Sequence, residues 1–242
     1  MKLGTAQRYL RGTAWQANLV GALVTYAYFR FVDYEAFERP PTAGEIAYFV
    51  AGFGGLIALG FGLAVLWNRP LAAALPPPPG PAGDLARRRA LQLPYFVAFV
   101  TLLGWALAGG IWGVGAQMLF GTFAPGDSLR RMFGITVISG SAATVLAFLI
   151  VERRWRRELP AYFPEGGVTA VRGAPRLPVR ARLLFVLLLV AVIPISVLGM
   201  ASFRGAKSAL AAGPDAADVI TRMLAVVVFL GLATMLTSIG LA

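Results

Sequence analysis

The chain has 242 residues, 58% of them hydrophobic and 14% charged, with a mean hydropathy of +0.72; soluble domains carry about 25% charged residues, so this composition excludes a soluble enzyme and indicates an integral membrane protein. Zero Cys and zero His exclude disulfides, thiolate or imidazole metal ligands, cysteine nucleophiles and any Ser-His triad. The net charge of +11 does not indicate a nucleic-acid partner, because the basic residues fall in short clusters beside apolar runs.

A bilayer core needs about 20 apolar helical residues, and six segments are long enough: 13–31, 46–67, 95–115, 133–151, 183–203 and 219–242. The expected fold is all-α, a polytopic membrane protein of six transmembrane helices in three successive hairpins, forming one domain over 1–242. The N-terminal Lys2, Arg8 and Arg11 precede an apolar run that ends in aromatics without a small-residue cleavage site, so the run reads as a retained span and not a signal peptide.

Basic residues in the short loops set the orientation. With the N-terminus inside, fifteen Lys and Arg lie inside and seven outside, while seven acids lie outside and four inside. The outer face nets zero and the inner face carries all of the +11, which predicts an N-in, C-in topology in a bacterial plasma membrane. The inner arms Arg153, Arg154, Arg156, Arg157, Arg180 and Arg182 are expected to meet anionic lipid headgroups or a cytosolic output domain. Tyr26, Tyr28, Phe29 and Phe31 at one end of the first span, and Trp67, Tyr95, Phe96 and Trp155 at inner ends, read as interfacial belts.

Between spans two and three, residues 75–84 hold four consecutive prolines and read as an extended spacer. Spans two and three are glycine-rich, and Gly109-x-x-x-Gly113 is a close-packing pattern, read as a contact between helices of one chain in preference to a dimer interface. A shift of 84 residues places Arg69 on Arg153, Leu75-Pro76 on Leu159-Pro160, Arg88 on Arg172 and Leu93-Pro94 on Leu177-Pro178. This predicts hairpin repeats 1–92, 93–176 and 177–242, all running in the same sense.

Polar residues at membrane depth are few. Gln16, Asn18, Thr101, Gln117, Ser139, Ser141 and Thr144 are not ionisable, which disfavours an ion-coupled pathway; the hydroxyls are expected to bond to carbonyls one turn back. Asp33, Glu35 and Glu38, with Glu45 and Asp127, are weak candidates for a divalent cation, and they equally balance Arg30, Arg39, Arg130 and Arg131. In span five, Pro194 removes a backbone hydrogen bond and Gly199 follows it, so the pair is a candidate signal-relay bend. Residues 201–218 read as a short outer loop. Span six ends without a basic stop, and the chain is expected to continue past Ala242.

Three hairpins, the exit Val151-Glu152-Arg153-Arg154 followed by Leu159-Pro160, and Arg180-Ala181-Arg182-Leu183-Leu184 entering a span with Pro194 together resemble the six-span membrane region of bacterial HAMP-containing class III adenylate/guanylate cyclases. The resemblance implies a homodimer whose sixth helix passes a lipid or other hydrophobic signal to a HAMP and cyclase domain, which makes cyclic AMP from ATP with divalent Mg or Mn. These 242 residues contain no HAMP segment, no metal-binding aspartates of the cyclase domain and no transition-state Arg or Asn. No catalytic residue and no cofactor are therefore assigned to this chain. A histidine-kinase sensor, a small transporter or channel complete at residue 242, and a structural membrane subunit are the alternatives.

Overall fold

The computed structural model describes residues 4–33, 40–72, 76–121, 125–164, 166 and 193–212, with isolated positions within 180–191 and 217–228. Among the described residues every regular element is helical. Helix α1 is Gly4–Phe31, α2 is Ala43–Asn68 and α3 is Pro81–Gly109. A first π segment, Gly110–Gly115, carries α3 without a break into α4, Ala116–Phe120. Helix α5, Pro125–Met132, passes likewise through a second π segment, Phe133–Ser139, into α6, Gly140–Trp155. Single 3-10 turns, Pro70–Ala72 and Leu159–Tyr162, follow α2 and α6, and α7 is Ile193–Ala212.

Three stretches are long and apolar enough to cross a membrane: Ala43–Asn68, Pro81–Phe120 and Asp127–Trp155. They mark the chain as a membrane protein, and they contain the expected spans two, three and four. Helix α1 covers residues 13–31 and α7 overlaps the end of 183–203, while residues 219–242 lie largely outside the described residues. So do Arg172, Leu177 and Pro178, on which the 84-residue repeat depends.

Local chemistry explains where the helices begin and end. Thr42 and Glu45 form a capping box at the start of α2: the Glu45 amide donates to the Thr42 hydroxyl at 3.3 Å, and the Thr42 amide donates to the Glu45 carboxylate at 2.8 Å. Two of the helix's unpaired N–H groups are satisfied in this way. Helix α3 starts on Pro81, whose missing N–H is no loss in a first turn, after Gly80 at φ 97°. The α4 end is closed by Gly121 in the left-handed region, where a residue without a Cβ carries no steric penalty.

Two expectations about boundaries are revised. Helix α3 begins at Pro81 and not near Tyr95, so Arg87, Arg88 and Arg89 are helical and Pro94 sits buried inside the helix without ending it. The 40 residues Pro81–Phe120 extend about 60 Å, about twice the hydrocarbon thickness. The expected loop after Ala201 is instead the continuation of α7 through Ala212, a stretch rich in alanine, the strongest helix former.

Helix α6 is the centre of the bundle. Helices α1 and α3 pack on it, and α2 packs on α3 from outside. Accordingly α6 buries Ala142, Ala143, Val145, Ala147, Phe148, Val151 and Trp155, whereas α2 buries no residue. Lipid tails are as apolar as leucine, so helices within a membrane associate through close packing, which small residues permit. A Cβ at Gly134 would collide with the Tyr28 ring, one at Gly21 with Trp105, and one at Gly140 with Trp105 Cβ at 2.8 Å. One core cluster joins Tyr28, Val32, Ile138, Ala142 and Val145 to Ile193, Val197 and Ala201 of α7. A second, at the opposite end of α6, joins Leu71, Ala90, Leu93, Val151, Trp155, Tyr162 and Phe163.

Candidate functional site

The polar chemistry of the bundle gathers at its two ends. At the first, α1 stops at Phe31 and the amides of Val32 and Asp33 both donate to the Tyr28 carbonyl, at 2.8 and 3.0 Å. This tight turn aims Asp33 at α5, between the two arms of the second hairpin. The carboxylate is fully buried, and Arg130 Nη2 donates to its Oδ1 at 2.6 Å while Arg131 Nε lies 3.3 Å from its Oδ2. Arg130 also pairs with Asp127 at 2.8 Å, and the Tyr28 hydroxyl donates to the Arg130 carbonyl at 3.2 Å. Two carboxylates and two guanidiniums form a neutral clasp between α1 and α5. Desolvated charges of this kind hold a fold together only while both partners are present.

At the opposite end the fixing bonds run from side chains to backbone carbonyls. Trp155 Nε1 donates to the Ala90 carbonyl at 2.7 Å, and the Tyr162 hydroxyl to the Leu71 carbonyl at 3.3 Å. Burial, followed by the nearby Glu158 carboxylate, holds the Tyr162 hydroxyl above its ordinary value of 10.0, so the group remains a donor at neutral pH. Arg89 Nη1 donates to the carbonyls of Leu66 and Trp67 at 3.0 and 2.8 Å, and its guanidinium lies 5.0 Å from the Trp67 ring centroid. A cation that satisfies the last carbonyls of α2 also opposes the negative end of its dipole. Trp67 in turn stacks on Phe96 at 4.1 Å. Around this core Arg69, Arg88, Arg153, Arg156 and Arg157 are exposed and Arg154 is half-buried. Arg156 meets Glu152 at 3.1 Å.

The remaining residues singled out from the sequence fall as follows. Gly109 and Gly113 are buried against the other arm of their own hairpin: a Cβ at Gly109 would strike the Thr136 hydroxyl, and one at Gly113 would lie 2.8 Å from the Met132 amide nitrogen. Both therefore pack within the chain. Pro194 occupies the first turn of α7, and Gly199 is exposed with nothing close to its Cβ position; residues 188–190 and 192, through which a bend would run, lie outside the described residues. Arg180 is exposed, and Arg182, Glu35 and Glu38 lie outside the described residues. Asp33 is held by two arginines, and no group of acids that could hold a metal occurs among the described residues. Ser139 donates to the Gly134 carbonyl at 3.0 Å, five residues back, and Asn18 accepts from Trp105 Nε1 at 3.0 Å.

Two arrangements go beyond the sequence reading. The Asp33–Arg130 pair spans 97 positions; the sequence sets Asp33 among acids that balance Arg30, Arg39, Arg130 and Arg131 but does not say which acid meets which arginine. Arg89 as the cap of α2 carries no sequence signal that distinguishes it from Arg87 and Arg88. Comparisons with protein-family models, with curated proteins and with solved structures return no match.

Proposed function

We propose that this chain is the membrane-embedded sensory and regulatory part of a bacterial signalling protein, six-spanning with both termini inside, whose output is an adenylate cyclase. The observation that favours regulation over transport is the interior of the bundle. At Gly21, Gly109, Gly113, Gly134 and Gly140 a single methyl would already meet neighbouring atoms, and this close packing among the described residues supports a mechanical unit over a bundle built around an aqueous pathway. The outermost helix α2, apolar and without a buried residue, supplies the surface on which a lipid or membrane-dissolved ligand acts. A ligand shifts output only by binding one arrangement of the bundle better than another. The cyclase output, its divalent metal and the homodimer rest on the resemblance described above.

The test reads the gene beyond the codon for Ala242 and assays the full-length product in a bacterial strain lacking its own cyclase. A HAMP and cyclase domain with cyclic AMP accumulation supports the proposal; a stop codon directly after Ala242 overturns it, and a kinase domain replaces the output. Orientation is read separately. Because the chain has no cysteine, Thr42→Cys and Arg156→Cys can be labelled without background. A membrane-impermeant maleimide should reach Thr42→Cys in intact cells and Arg156→Cys only after permeabilisation; the opposite pattern would invert the topology.

A further inference from the structure

The two π segments lie in adjacent antiparallel helices and are offset, so that the first packs on α5 and the second on α3, each against the helix that borders the other. Each closes a turn five residues back: the Ala116 amide donates to the Ile111 carbonyl and the Gly140 amide to the Ile135 carbonyl. Such a turn holds one residue more than an α turn, and π turns inside α-helices recur at functional sites. Gly109, the last residue of α3, forms a notch that receives Thr136 of the second segment, and Gly113 of the first segment forms one that receives Met132, the last residue of α5.

The first segment is also gripped from the other side. Tyr48 of α2 donates to the Ile111 carbonyl at 3.0 Å, the same oxygen that closes the π turn. Its hydroxyl occupies the space where a Cβ of residue 115 would stand, and that residue is glycine. Phe49 stacks on Trp112 at 4.9 Å, and Gly52 lets Ile111 approach. Helix α2, which buries nothing of its own, therefore meets the bundle at a π turn.

We propose that the two offset π segments form a register switch, coupled through the glycine notches, and that Tyr48 is its clasp. With the clasp in place Ile111 accepts from Ala116. Without it the turn is free to close as an α turn with the Gly115 amide as donor, which moves the neighbouring residues by one helical position, about 100° and 1.5 Å. Because Met132 and Thr136 sit in the glycine notches, the second segment follows, and Ile138, Ala142 and Val145 carry the change to α7. The proposed function enters only in naming what this motion reports.

The switch is tested on the whole chain in lipid nanodiscs by hydrogen exchange with mass spectrometry, a readout that needs no signalling output and so stands or fails apart from the proposed function. Tyr48→Phe should speed exchange of residues 110–116 and 133–140 together by about two- to tenfold, the loss corresponding to one hydrogen bond, and leave 150–155 unchanged. Gly115→Ala, which displaces the same hydroxyl, should reproduce that pattern. Faster exchange in 110–116 alone, or none in either segment, overturns the switch. As a second measure, deleting the exposed Val137 lets the second segment close as α-helix with both flanks in register, so the thermal midpoint should fall by only a few degrees. Deleting Ile150 from α6 should instead turn Val151 and Trp155 off the core and unfold the protein. If the two deletions are equally damaging, the π segment is no adjustable register and the proposal fails.

Discussion

The two ends of the bundle solve one problem with opposite chemistry. At one end charge is taken inside and neutralised: Asp33 is fully buried between Arg130 and Arg131, with Asp127 completing the balance. At the other end charge stays outside, and neutral N–H and O–H donors of Trp155 and Tyr162 hold the helices by their backbone carbonyls. The first arrangement ties stability to ion pairs and leaves the surface with little field. The second leaves Arg69, Arg88, Arg153, Arg156 and Arg157 at the surface to act on whatever is nearby.

The largest effect should come from breaking the buried clasp. Asp33→Asn leaves two desolvated guanidiniums short of one carboxylate and should cost about 3–5 kcal/mol, measured by reversible unfolding in detergent. A loss below about 1 kcal/mol would mean that the clasp is incidental. The matched change at the other end should separate stability from binding. Arg153→Gln with Arg157→Gln should stay within about 0.5 kcal/mol of the parent in unfolding, yet weaken attraction to vesicles containing anionic lipid by about 1 kcal/mol per arginine. Equal binding to neutral and anionic vesicles would break the comparison. The smallest effect concerns pH. Tyr162 holds its proton more tightly when folded than when unfolded, so its contribution is fully present below pH 10.0 and is lost as pH rises through the higher folded value. Parent and Tyr162→Phe should therefore differ by about 0.5–1.5 kcal/mol at neutral pH and converge in strong alkali, as followed by thermal unfolding.

The parts of this fold that can be read from the residues are those set by composition along a single helix. Helix α2 is apolar over its whole length and appears where expected, and the close-packing glycines Gly109 and Gly113 do receive a neighbouring helix. Boundaries are less legible. The span expected from residue 95 belongs to a helix that already starts at Pro81, and Pro94 lies inside it beside the buried Leu93. Contacts between distant residues are the least legible. The equal numbers of acidic and basic residues in the expected outer segments are visible in the sequence, but which acid meets which arginine depends on the turn after Phe31, and that turn is set by the Tyr28 carbonyl. The π segments leave no trace beyond glycine content, because one surplus residue in a turn looks like any other residue.

The cap on α2 also has a consequence for how the protein is made. The donor that closes its last carbonyls, Arg89, lies 22 positions after Trp67 and belongs to the next helix. At synthesis rates of about 5–20 residues per second, the end of α2 waits about one to four seconds for its partner. During that interval only water, a headgroup or the insertion machinery can serve those carbonyls, so α2 and the first turns of α3 mature as one unit, and an error in the arginine arm is felt by the helix already made.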